Sequence, residues 1–170
     1  MSRLSVACIL LVPGLLSQTR SGHSLPTFAD YAVDVVSGNG SVSPKLITPQ
    51  QRRFRTVIRQ SAAKGPNFAG HYTIAPWGCG TGCIQFVVVD NQSGNVYDGA
   101  AGTLPYGIVC FGANPDRDKT GISFKPDSSL LIIRGCPNDK NCGAIYYEWS
   151  GTRFNVLKRV PMKPVFGCEP

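Results

Sequence analysis

Six cysteines constrain this chain more than anything else in it: Cys79, Cys83, Cys110, Cys136, Cys142 and Cys168. A seventh, Cys8, lies in an N-terminal apolar stretch with the make-up of a removable leader. Met1-Ser2-Arg3 gives a short positive start, and Leu4 to Leu16 is an apolar run interrupted at Pro13-Gly14. Ser17 to Ser24 then supplies the small and polar residues that suit a signal peptidase. The run is shorter than the roughly 18 unbroken apolar residues of a membrane anchor. The pattern predicts a signal peptide over 1–24, cut between 17 and 24, and no membrane span once it is removed. An even set of cysteines behind such a leader reads as a disulfide framework and places the mature protein in the periplasm or outside the cell.

Removal of the leader leaves residues 25–170, a length that suits a single domain around one core. The whole chain carries a net charge of +7, and loss of Arg3 and Arg20 lowers it to about +5. With 19 glycines and 13 prolines, turns between short strands are expected, since each of these residues supplies or fixes a backbone angle that strands do not hold.

Residues 25–47 alternate weakly at Tyr31, Val33 and Val35, then break at Ser37-Gly38-Asn39-Gly40, which predicts one strand and a turn. Thr48-Pro49 reads as a helix start, with Thr48 as the N-cap and Pro49 in the first helical position, where its missing N–H is harmless. Phe54, Val57, Ile58 and Ala62 recur at helical spacing while Arg52, Arg55 and Arg59 fall on another face. Gly65-Pro66 closes this helix. The remainder reads as strands: His71 to Ala75, the loop Trp77 to Cys83, Ile84 to Asp90, a turn at Asn91 to Asn95, then Val96-Tyr97. Residues 99–120 read as loop with a strand near Ile108-Val109. Gly121 to Phe124, Leu130 to Arg134, Ala144 to Trp149 and Phe154 to Val160 form a meander. The expected fold is mainly β (α+β), an antiparallel meander or sandwich with one N-terminal amphipathic helix, stapled by disulfides.

Proximity suggests the pairs Cys79–Cys83, around a supple Gly80-Thr81-Gly82, and Cys136–Cys142, flanking a turn. Cys110 with Cys168 would then tie the tail to the middle of the chain. The two local bridges contribute about 2 kcal/mol each and the long one about 4 kcal/mol, in the chain-entropy account. A structural zinc site is the rival, since Cys79 and Cys83 have acceptable spacing, although an oxidising compartment disfavours thiolates. A cysteine nucleophile would need a free thiolate beside a positive group, and six paired cysteines spare none. Asp90 could orient His71 for a small hydrolase or transferase, but no nucleophile frame such as Gly-x-Ser-x-Gly accompanies them. No cofactor motif is recognised, because Gly78-Cys79-Gly80-Thr81-Gly82 lacks the Gly-Lys-Ser/Thr ending of a phosphate loop.

Two stretches stand out as binding candidates. One is the glycine-rich loop with Gly78 and Gly80, flanked by His71, Tyr72 and Trp77, because an amphipathic aromatic beside a rigid loop is common at hot spots. The other is the basic stretch Lys45, Arg52, Arg53, Arg55, Arg59 and Lys64, which has no acidic residue between its ends and suits an anionic partner. Tyr146-Tyr147-Glu148-Trp149 is expected to turn one side to the core and the other to solvent. Gly65-Pro66-Asn67-Phe68-Ala69-Gly70-His71-Tyr72, Trp77-Gly78-Cys79-Gly80, Cys83, Val89-Asp90 and Gly94 resemble a group of small exported bacterial proteins of unassigned function. Asp127 to Leu131 and Tyr146 to Trp149 fit the same group, so the resemblance spans about residues 65–160. It implies a periplasmic or secreted bacterial protein and brings no catalytic residues. The expected function is a binding or inhibitor-like protein that meets another protein or an anionic envelope component, without nucleic acid.

Overall fold

A computed structural model describes residues 24–36, 42–80, 83–100, 104–105, 109–110, 121–135, 142–161 and 165–166. Residues 1–23 of the expected leader, the Ser37–Gly40 turn, Cys136 and Cys168 lie outside the described residues. Among the described residues, ten strands and two helices follow a 3₁₀ turn at Phe28–Tyr31. The helices are α1 (Pro49–Arg53) and α2 (Arg55–Ala63), and the strands of the first sheet are β1 (Tyr72–Gly80), β2 (Cys83–Asp90), β3 (Val96–Asp98) and β4 (Leu104–Pro105). Next come β5 (Val109–Cys110), β6 (Ile122–Ser123), β7 (Leu130–Gly135), β8 (Gly143–Trp149), β9 (Phe154–Pro161) and β10 (Val165–Phe166). Strand β2 pairs with β1 on one side and with β3 and β4 along the other, while β6-β7-β8-β9 form a second antiparallel sheet. A short antiparallel ladder joins β10 to β5.

The period of two along each strand decides the layering. Tyr72 and Ile74 of β1 and Phe86 and Val88 of β2 pack against Leu131, Ile133, Ile145, Tyr147 and Trp149 of the second sheet. The residues between them, Ala75, Trp77, Val87 and Val89, face Ile58 and Ala62 of α2 instead. The outer side of the second sheet, Leu130, Ile132, Ala144 and Tyr146, is covered by Phe28 and Tyr31. The mainly β sandwich is as expected, with helix, sheet, sheet and N-terminal segment stacked in that order.

Four details depart from the sequence reading. The single helix is two, since Phe54 leaves helical geometry with φ −99° and ψ 20° as its ring turns onto Trp77. The strand expected within 25–47 is a 3₁₀ turn and an extended segment, joined to the sheet by one bridge from Ala32 to Ser128. Trp77 to Gly80 belong to β1 rather than to a loop, for the hairpin ladder continues to Gly80 opposite Cys83. Tyr146 and Tyr147 are both buried, because the second sheet is covered on both faces.

Candidate functional site

The two stretches singled out in the sequence come together in the fold. Thr48 accepts from the Gln51 backbone N–H at 3.1 Å, and the Gln51 side chain accepts from the Thr48 N–H at 3.1 Å. This reciprocal cap fixes the start of α1 over the first sheet. Gln50 Nε2 then donates to Gln85 Oε1 at 2.9 Å, and the Trp77 indole N–H donates to the same oxygen at 3.1 Å. The Phe54 ring stacks on Trp77 with centroids 4.6 Å apart and planes at 19°. Arg53 closes the pile with its guanidinium carbon 5.7 Å from the centre of the Phe54 ring.

Above this pile the arginines are free of acids. Arg52, Arg53, Arg55 and Arg59 are exposed, and among the described residues none has a carboxylate partner. Arg52 donates to the Ile47 carbonyl, and Arg55 donates to the Arg52 carbonyl at 3.4 Å. Of the set expected to be buried, Ile58 and Ala62 are fully so, while Phe54 and Val57 are half-buried against them.

The aromatic candidates have other employment. Trp77 is 7% exposed and belongs to the helix-facing core, so it anchors α1 and offers no open face to a ligand. Tyr72 is buried on the opposite face of β1, where its hydroxyl donates to the Gly151 carbonyl at 3.2 Å. Burial, and secondarily the charge on Asp90, raises the Tyr72 pKa above the ordinary phenol value. The expected cluster of His71, Tyr72 and Trp77 is therefore divided among a rim and two core faces. Gly78, Cys79 and Gly80 are exposed at the tip of the hairpin. The Cys79–Cys83 bridge closes that tip across Cα atoms 5.1 Å apart, beside a bulge at Cys79. With these two sulfurs joined, neither is a thiolate for zinc or for nucleophilic attack. Cys142 is also disulfide-bonded.

His71 Nε2 lies 3.8 Å from Asp90 Oδ1, and its ring sits 4.1 Å from that of Tyr72. Burial pushes the Asp90 pKa up, but the Ser93 hydroxyl at 2.6 Å and the amides of Gln92 and Ser93 outweigh it. His71 adds to the same effect, and the net result is a lowered value. The order of contacts is wrong for acyl transfer: Ser93 bonds the carboxylate rather than the imidazole, whereas a serine nucleophile needs the imidazole beside its hydroxyl. Asp90 works here as the cap of the β2–β3 turn. Among the described residues no helix is long and apolar enough to cross a membrane.

Comparison with protein-family models, with curated proteins and with solved structures found no match. The sequence reading missed Gln50 and Gln85 as parts of the site, and it placed Arg53 in the basic stretch without its contact to the Phe54 ring. The alternation of β2 places Gln85 on the same face as Val87 and Val89, which was the available signal for it.

Proposed function

We propose that this chain is an exported, disulfide-bonded binding protein of the bacterial periplasm or cell exterior, whose contact face is the arginine stripe of α1 and α2. One observation carries the reading: Arg52 of α1 and Arg55 and Arg59 of α2 stand exposed close together in the chain, with no carboxylate partner among the described residues. Unpaired guanidinium groups on one side attract an anionic partner and speed its encounter. The stack of Phe54 on Trp77 and the Gln50–Gln85 bond support this role by holding the helix in place, so little order has to be created on binding.

The test changes Arg52, Arg55 and Arg59 together to Gln and compares retention on an anionic matrix with a charge-matched control. Lys125, Arg153 and Arg159, exposed elsewhere on the molecule, supply that control when changed to Gln. The reading predicts a larger loss for the helical set. Equal losses would reduce the stripe to a solvated surface. Export is tested separately by mass: the mature oxidised protein is expected to weigh six hydrogens less than its reduced form. Two alkylatable thiols under native conditions would contradict the three-bridge framework.

A further inference from the structure

The residue that precedes the helix narrows the partner. In the extended segment before Thr48, neighbouring side chains point to opposite sides. Leu46 packs against the Ile58–Trp77 core, so Ile47 is turned outward. It is 72% exposed, whereas the other exposed large apolar side chains among the described residues reach at most 47%. An apolar residue just before an N-cap ordinarily packs on another at the fourth helical position. That position is Arg52, whose guanidinium folds back onto the Ile47 carbonyl and leaves the Ile47 side chain uncovered. An aliphatic side chain is thus set beside the first arginine of an unpaired stripe. Arg52 lies in α1 and Arg55 and Arg59 in α2, and the bond from Arg55 to the Arg52 carbonyl joins the two parts of the stripe.

Cavities of about 520 Å³ and 470 Å³ lie beside Ala144 and Arg159 and beside Asp98 and Phe154, and no residue of the stripe lines either one. What a partner would meet here is the exposed Ile47 side chain together with the exposed arginines.

We propose that the anionic partner is a lipid surface, with Ile47 entering the headgroup layer and Arg52, Arg55 and Arg59 meeting the lipid phosphates. This rests on the arginine stripe being the contact face. Charge holds the protein near an anionic bilayer, and burial of one aliphatic side chain adds an attraction that a dissolved polymer does not offer.

The folded, oxidised chain is sedimented with vesicles of mixed phosphatidylglycerol and phosphatidylcholine, and with vesicles of phosphatidylcholine alone. Retention on dextran sulfate is measured in parallel. The anionic vesicles are expected to recruit the protein and the zwitterionic ones to leave it in solution. Ile47→Ser, at an exposed position, is expected to keep the fold and dextran sulfate retention while weakening vesicle binding about tenfold. R52Q/R55Q/R59Q is expected to weaken vesicle binding about a hundredfold, at roughly one arginine's worth of attraction per site, and to lower retention on dextran sulfate as well. Recruitment unaffected by Ile47→Ser would overturn the lipid proposal. So would a failure of anionic vesicles to bind protein that dextran sulfate still retains through its arginines, and in both cases the contact face itself would stand. Retention indifferent to the arginines would remove the face and the lipid proposal together.

Discussion

Residues 65–91 and residues 45–64 spend their side chains in opposite ways. The first region is the more distinctive in sequence, yet nearly every notable residue in it is bound to the fold. Asn67 donates to the Ile74 carbonyl at 3.1 Å and accepts from the Ile74 N–H at 2.8 Å. Phe68 has no exposed surface. Ala69 and Gly70 take positive φ values of 45° and 84° to turn the chain, and a Cβ at Gly70 would come 2.6 Å from the Asp34 carbonyl oxygen. Thr73 donates to the Gly65 carbonyl at 2.9 Å and accepts from Asn91 at 2.9 Å. The second region has an ordinary helical pattern and leaves four arginines unpaired by acids among the described residues. A distinctive motif can thus mark a demanding backbone, while the plainer helix holds the free chemistry.

The largest effect that would sharpen this contrast is at Trp77. Trp77→Ala is expected to cost about 3–5 kcal/mol, read as a fall in melting temperature, with anionic retention of the folded fraction preserved. A stable Trp77→Ala protein that no longer binds would break the division, because it would return the tryptophan to the contact surface. Asn67→Ala comes next, at about 1–3 kcal/mol, because it strips the Ile74 backbone of both partners. Denaturant unfolding checks it, and a neutral result would mean that the turn does not depend on that side chain.

Asp90 gives a smaller, pH-dependent effect. Its folded pKa lies below the ordinary value, so its contribution is present above the carboxylate range and is lost as pH falls through the folded value. Asp90→Asn should flatten the acid limb of a stability–pH curve. An unchanged limb would assign that limb to other carboxylates. The smallest effect on stability is expected for R52Q/R55Q/R59Q, within about 0.5 kcal/mol as for surface positions generally. A larger loss in thermal unfolding would mean that the arginines serve the fold after all.

Much of this architecture was legible from the chain. Alternation and turn residues marked β2, β7, β8 and β9, and the spacing of Cys79 and Cys83 foretold their bridge. The helix start at Thr48-Pro49 was read from its cap, and the outward set of arginines from the helical period. What escaped depended on contacts distant in sequence. Nothing local announces that Phe54 leaves the helix to stack on Trp77, 23 positions later. One side of Tyr146 to Trp149 was expected to face solvent, but Phe28 and Tyr31, from the far end of the chain, cover Tyr146. The site was half legible for the same reason: charge and period exposed the stripe, but the anchor beneath it was mistaken for the contact.

Amide chemical-shift mapping tests the central claim most directly. The oxidised chain is titrated with small bicelles containing phosphatidylglycerol while the backbone resonances are followed. The account predicts that the largest shifts fall on Ile47, Arg52, Arg55, Arg59 and their neighbours, and that His71, Gly78 and Gly80 stay near their free positions. Shifts concentrated at His71 and the hairpin tip, with the arginine stripe unmoved, would contradict it.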